Sequence, residues 1–526
     1  HLESAWGGFS ADPCPLEPKV LGTLERDGYR VEKVVFQTLP GVWMTANAYV
    51  PSKPAPQRPA VLAVHGHWKF AKQDPVVQTR CIGLAKIGVF VLCVDAFGAG
   101  ERAVGKALGE YHGEMTAATL FPVGMTLSGL QVYENRRAVD YLRTRAEVNP
   151  ERIAVTGASG GGNQSMYAGA FDERLRAAIP VCSVGNYQAY LGAACCMCEV
   201  VPGALRFTEE GDLLGLTAPR ALMVVSATGD ARQFSVAEAK KSLARASDIF
   251  QLYSRGDAVR HTIIESGHDY NRPMREAMYG WVLKHLADVG DGQPVAEGEI
   301  KTEDPESLRC FPGESRPNDY VTIPRLAARQ ARELLKKHEP PTDEAQRREW
   351  IAKRKTILRE QLLGGFPSNT PLSLAQEKLA DGTSGWRYES EPGLMLEARF
   401  HATSNARGVA VLLAADRPET TLASDEAKKW IADGWSVLAP ELRATGRTSV
   451  PGDTIGAAPD HNSAEWSLWI GRPLVGQWVW DVKRAIAALD SAAGNRQPVT
   501  IVGSPSVGPL PLFVGALEDR VSKTTL

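Results

Sequence analysis

Two features predict an α/β fold in which a mostly parallel central sheet is followed by a second, incomplete copy of the same design. Apolar runs alternate with helical patterns between residues 30 and 290, and part of that region recurs weakly near the end of the chain. The strand candidates are Ala60–Val64, Val89–Val94, Arg152–Thr156, Arg176–Val181, Ala221–Ser226 and His261–Glu265. Most are continuously apolar instead of alternating, as expected of strands covered on both faces. Helical patterns, among them Val132–Arg145 and Arg272–Leu286, separate several of them. From about Asp288 to Asp319 the composition shifts to Gly, Pro, Asp and Glu, which reads as a linker. Pro324–Leu363 is rich in Ala, Arg, Lys, Glu and Leu and predicts two helices broken at Pro340-Pro341.

The recurrence is ordered. Ile87-Gly88-Val89-Phe90-Val91-Leu92 is echoed by Asp433-Gly434-Trp435-Ser436-Val437-Leu438, the offset being that from Gly88 to Gly434. At the same offset Glu441 falls on Asp95, Gly446 on Gly100, and Val514–Val521 on Ala168–Leu175. Arg484-Ala485 matches Arg137-Ala138 with a slip of one residue. We read a duplication with three parts: a catalytic domain over 1–290, a linker and helical connector over 291–364, and a degenerate second copy over 365–526.

The chain has 526 residues, more than one core usually serves. Lys and Arg number 59 against 61 Asp and Glu, a net charge of −2. That balance offers no basic stripe for phosphates, so no nucleic-acid partner is expected. No long apolar run spans a membrane. Eight cysteines are too few for a disulfide scaffold. Cys93 and Cys182 lie in apolar runs, whereas Cys195, Cys196 and Cys198 cluster in a loop, with one disulfide to a distant partner as one reading. A second ligand pair at metal-site spacing is not visible near them, so no metal and no cofactor is expected. His1–Pro18 shows no apolar signal region; because the chain begins with His, a leader already removed stays open, and secretion or the periplasm is expected, with the cytoplasm as the alternative.

The chemistry gathers around one motif. Arg152-Ile153-Ala154-Val155-Thr156 is followed by Gly157-Ala158-Ser159-Gly160-Gly161-Gly162 and then by the helix-compatible Gln164–Ala168. G-x-S-x-G between a strand and a helix is the context in which a sharp turn lifts a serine clear of the sheet. A serine hydroxyl needs a base to take its proton. His268, in Ser266-Gly267-His268, follows the last predicted strand, and Asp230, in Thr228-Gly229-Asp230, follows the one before it. The order Ser159, Asp230, His268 and the strand-end positions suit an open parallel sheet. Asp257 and Asp269 are rival acids; the first precedes its strand and the second adjoins the histidine. The oxyanion of an acyl transfer needs two donors. The N–H of Gly160 is one, and the loop Val64-His65-Gly66-His67-Trp68 offers the N–H of His67 as the other. His65 and His67, a His-x-His pair with no third ligand in view, read as loop-shaping or pocket residues rather than metal ligands, and Trp68 as a substrate-binding wall or a packing residue.

Together Asp27–Val34, His65-Gly66-His67-Trp68, Asp95-Ala96-Phe97-Gly98-Ala99-Gly100-Glu101-Arg102, the Gly157–Gly161 elbow, Asp230 and Ser266-Gly267-His268 resemble the acetylxylan-esterase and dienelactone-hydrolase-like branch of the α/β-hydrolase fold over roughly residues 20–288. The resemblance implies a serine esterase acting on carbohydrate acetyl esters. Dienelactone hydrolases proper use a cysteine nucleophile; Ser159 favours the esterase side. The insertion Gly105–Met125 marks a subgroup.

The second copy reads as disarmed. At the offset of the repeat Pro505 stands on Ser159, and a shift of one residue offers Ser506 instead. The oxyanion loop becomes Ala415-Asp416, which sets a carboxylate where an anion must be held. The sequence ends opposite Pro180, before any counterpart of Asp230 or His268, so a sheet ending near Thr500–Gly503 would bare an edge, and the expectation is either that more chain follows or that a partner subunit or the first domain covers it. Trp466, Trp469, Trp478 and Trp480 suit sugar faces or, more simply, a core. Two other functions share these residues: a prolyl-oligopeptidase-like peptidase, although no propeller repeat is visible, and a non-catalytic carbohydrate-binding protein.

Overall fold

The computed structural model describes the chain except residues 10–11, 108–114, 194–195, 369, 453–460 and 494–496. It divides into two compact units, His1–His338 and Glu339–Leu526.

The first unit is built on nine strands: β1 (Lys19–Arg26), β2 (Tyr29–Leu39), β3 (Val42–Pro51), β4 (Arg58–Ala63), β5 (Phe90–Val94), β6 (Val148–Ala158), β7 (Leu175–Val181), β8 (Ala221–Ala227) and β9 (Val259–Ile264). Their order in the sheet is β1-β2-β3-β5-β4-β6-β7-β8-β9. The first three strands run antiparallel to their neighbours, and β5 to β9 form a parallel array. This is the α/β-hydrolase fold. The six apolar runs read from sequence are β4 to β9. Strands β1 to β3 escaped that reading for a physical reason. β3 is buried but carries Thr45 and Asn47, whose side chains donate to Asp95 (2.7 Å) and to the Leu308 carbonyl (2.9 Å), so its polar content hides its burial. The turn joining β1 to β2 is Asp27-Gly28, with Gly28 at φ +84°, a conformation that favours glycine.

Helices flank the sheet. Pro75–Lys86, Leu127–Thr144, Val236–Leu252 and Arg272–Val282 are each capped by the side chain just before them, Asp74, Thr126, Ser235 and Asn271 respectively. The apolar core gathers Val61, Ala63, Val91, Cys93, Ile179, Val225, Met278 and Trp281.

The stretch read as a linker belongs largely to this unit. The backbone N–H groups of Cys310 and Phe311 donate to the buried Glu101 carboxylate at 2.8 and 2.7 Å, and Arg316 donates to the carbonyls of Glu101 and Ala103. Ile323, Leu326 and Ala327, on the helix Ile323–Lys337, pack with Val42, Phe97 and Leu127. Composition missed this because the segment is held by polar anchors more than by an apolar run of its own.

The second unit carries β10 (Ala375–Lys378), β11 (Ser384–Glu391), β12 (Leu394–His401), β13 (Val409–Leu413), β14 (Ser436–Pro440), β15 (Val499–Gly503) and β16 (Val521–Thr525) in the order β10-β11-β12-β14-β13-β15-β16. That order repeats, strand for strand, the first seven of the other sheet. The expectation of an edge at Thr500–Gly503 is corrected, since β16 pairs in parallel beyond β15. Trp469, Trp478 and Trp480 are buried, as packing requires, and Trp466 is half-buried.

Candidate active site

The turn after β6 has an unusual backbone. Ser159 stands between the strand and the helix Gly160–Phe171 at φ 60°, ψ −131°. That region is sparsely populated for any residue with a Cβ and stores strain. The Ser159 N–H donates to the Val181 carbonyl at 3.0 Å, tying the turn to the end of β7. Close approach explains the neighbouring glycines. A Cβ on Gly157 would lie 2.4 Å from the Val64 oxygen, and one on Gly66 would lie 2.8 Å from the Ser159 Cβ and 3.1 Å from the Gly160 nitrogen. The His65–Trp68 loop is thus pressed directly against Ser159 and Gly160.

Buried polar groups hold that loop. His65 is fully buried; its Nε2 accepts the Ala96 N–H at 3.1 Å and its Nδ1 faces the Gly66 carbonyl at 2.9 Å. Beneath it Asp95 accepts from Thr45 (2.7 Å) and Lys72 (2.8 Å), and Lys72 also reaches Glu101 at 2.5 Å. Burial alone would push the Asp95 carboxyl up, but Lys72, His65 and Thr45 together outweigh it and hold it below the usual carboxylate range. Arg102 closes the network on Glu134 at 2.5 and 2.8 Å. The Asp95–Arg102 motif therefore scaffolds the loop. Trp68 packs against the core with its Nε1 buried, which favours the packing alternative for this residue.

Asp230 and His268 come together at the ends of β8 and β9. His268 Nδ1 and Asp230 Oδ1 are 2.8 Å apart, the carboxylate buried and the imidazole 37% exposed. The bond to Asp230 raises the imidazole above its ordinary value, burial pulls it down, and the charges of Asp230, Glu199 and Asp269 add to the rise, for a net increase. Phe234 stacks near the ring, with centroids 6.0 Å apart. The rival acids are engaged elsewhere: Asp257 with Arg255 at 3.2 Å, and Asp269 with the Tyr270 N–H at 2.7 Å. Among the described residues no hydrogen bond joins the Ser159 hydroxyl to His268.

Sequence reasoning missed one group of side chains. His67 Nε2 lies 2.9 Å from Cys196 Sγ and 4.0 Å from Cys198 Sγ. The expectation that the His65–His67 pair has no further ligand-type partner is corrected. Neither Cys196 nor Cys198 is in a disulfide; Cys195 lies outside the described residues. Next to them the buried Glu199 has its carboxyl pushed up to about 7 by burial and by the neighbouring Cys196, against the pull of His67 and His268. The C-x-C-E spacing was visible, but nothing local to it points to a histidine far upstream.

Residues 10–269 match the model of the Abhydrolase family. The chain is 29% identical over 227 residues to a protein of Bacillus subtilis (strain 168) provisionally named as the hydrolase YtaP, covering 40% of this chain and 74% of that one. Among solved structures it is similar to Methylesterase BT1017, with a TM-score of 0.50 and 21% identity over 64% of this chain and 72% of that one. It is also similar to a glucuronoyl esterase from Solibacter usitatus, with a TM-score of 0.42 and 18% identity over 53% of this chain and 88% or more of that one.

Proposed function

We propose that the first unit is a serine esterase that removes acyl groups from carbohydrate esters, acetyl esters foremost. The observation that carries the reading is the strained Ser159, pressed by the Gly66 loop and standing on the same sheet end as the Asp230–His268 pair. In the proposed cycle the Ser159 Oγ attacks the ester carbonyl while His268 Nε2 takes its proton. Asp230, bonded to Nδ1, orients the ring and stabilises the imidazolium. The N–H groups of Gly160 and His67 hold the oxyanion. His268 then returns the proton to the departing sugar hydroxyl, leaving an acyl-Ser159. Water, deprotonated by the same imidazole, hydrolyses that intermediate and restores the serine. No step calls for a cofactor.

The likeness to the Abhydrolase family and to Methylesterase BT1017 supports this class; the acetyl group rests on the sequence resemblance. Turnover of an activated acetyl ester by Ser159→Ala is expected to fall by about three orders of magnitude or more. A loss within about tenfold of the parent would overturn the reading. The natural bond is identified by incubating the enzyme with plant and algal polysaccharides and measuring acetate against methanol and longer acids; acetate is the expected product. No helix among the described residues is long and apolar enough to cross a membrane. We place the enzyme outside the cytoplasm, where such polymers occur.

For the second unit we propose a degenerate, non-catalytic copy. Its elbow-like backbone is at Gly508, φ 50°, ψ −128°, close to the pair at Ser159 but with no side chain. Pro505 begins a short turn, and the Ser506 hydroxyl is taken up by Ser504 (2.6 Å) and the Ala415 N–H (3.1 Å).

A further inference from the structure

Beside the Asp230–His268 pair, the described residues hold a second convergence of reactive side chains. His67 stands on the loop after β4, and Cys196 and Cys198 on the segment between β7 and β8. His67 Nε2 and the two sulfurs lie within 4.8 Å of one another. The two nitrogen-to-sulfur distances are 2.9 and 4.0 Å. A tetrahedral ion with bonds of about 2.05 Å to nitrogen and about 2.3 Å to sulfur holds those atoms about 3.5 Å apart, between the two observed values. The geometry points to a metal site here: a zinc-like divalent cation held by the His67 imidazole and the thiolates of Cys196 and Cys198.

The surroundings fit such an ion. Nitrogen and sulfur donors exclude magnesium and calcium, which require oxygen. The Cys198 N–H donates to Cys196 Sγ at 3.4 Å, and the Cys196 N–H donates to the Glu199 carboxylate at 3.2 Å, so the Cys196 thiol and its backbone are held by a second tier of hydrogen bonds. Cys198 is buried, Cys196 half-buried and His67 exposed, which leaves a path for the ion from solvent. Two thiolates neutralise a divalent charge, and the fourth position goes to water or to the Glu199 carboxylate. A second group, Cys182 with Asp230 and His268, is equally compact. It is a poorer site, because burial pushes the Cys182 thiol up to about 12 and the other two side chains are already bonded to each other.

The proposal goes beyond the esterase reading and is tested without it. The full chain is reduced, stripped with a chelator, loaded with zinc and dialysed, and its metal content is measured. One equivalent per chain is expected for the parent and for Cys182→Ser. Cys196→Ser/Cys198→Ser is expected to retain none, and its cobalt affinity to fall more than about 100-fold with loss of the thiolate-to-cobalt absorption band. Should that variant fail to fold, the parent alone decides: zinc is expected to protect Cys196 and Cys198 from alkylation, read peptide by peptide. Equal alkylation with and without zinc, a metal content that follows Cys182 instead, or a Cys196–Cys198 disulfide that persists under reduction would each overturn the site.

Discussion

At the scale of the residue, the most informative position is Ser159. Its φ of 60° costs of the order of 1 kcal/mol or more for a side chain bearing a Cβ, and in the second unit a similar backbone pair falls on a glycine, Gly508. Ser159→Gly is therefore expected to abolish esterase turnover while stabilising the first unit by about 1 kcal/mol, measured by denaturant unfolding. His268 gives a pH signature. Its imidazole must be neutral to accept a proton, and its raised value means that protonation begins above the ordinary 6.5. The acid limb of kcat/KM should lie above pH 6.5 and move to lower pH in Asp230→Asn, with kcat falling about 10⁴-fold. A limb unmoved by that substitution would assign it to another group. The meeting of Asp230 and His268 was legible because each follows an apolar run at the same end of the sheet. The link from His67 to Cys196 was not, because only the fold brings those segments together.

At the scale of the element, β4 to β8 could be read from sequence, since strands covered by helices on both faces must be apolar throughout, while the edge strand β9 is only half-buried. β1 and β3 could not, β1 because it is largely exposed and β3 because its burial is shared with hydrogen-bonded polar side chains such as Thr45 and Asn47. The strand–turn–helix unit that holds Ser159 has a shortened counterpart in the second unit, where β15 leads through Pro505–Val507 and Gly508 to the helix Leu510–Leu517. Ser506 lies on the turn and not at the elbow-like bend. Ser506→Ala is accordingly expected to leave turnover unchanged in a standard ester assay, and a large loss would show that this element takes part in the chemistry.

At the scale of the whole molecule, the two sheets share one strand order over seven strands, and the division between the units, at His338/Glu339, falls within the 291–364 segment read as a connector. Glu101 is buried and accepts from Cys310 and Phe311, so a chain cut after residue 290 loses two hydrogen bonds to a charged group, about 1.5–3 kcal/mol each. It also uncovers Val42 and Phe97. A chain of His1–His338 is expected to unfold cooperatively in a thermal scan, and one ending at 290 to be insoluble. The exposure of the His268 ring bears on kinetics as well: an imidazole 37% open to solvent exchanges its proton with bulk water directly. In the proposed cycle, regeneration of the base then needs no relay of buried groups, and the polymer-borne ester proposed as substrate would meet the ring from the same open side.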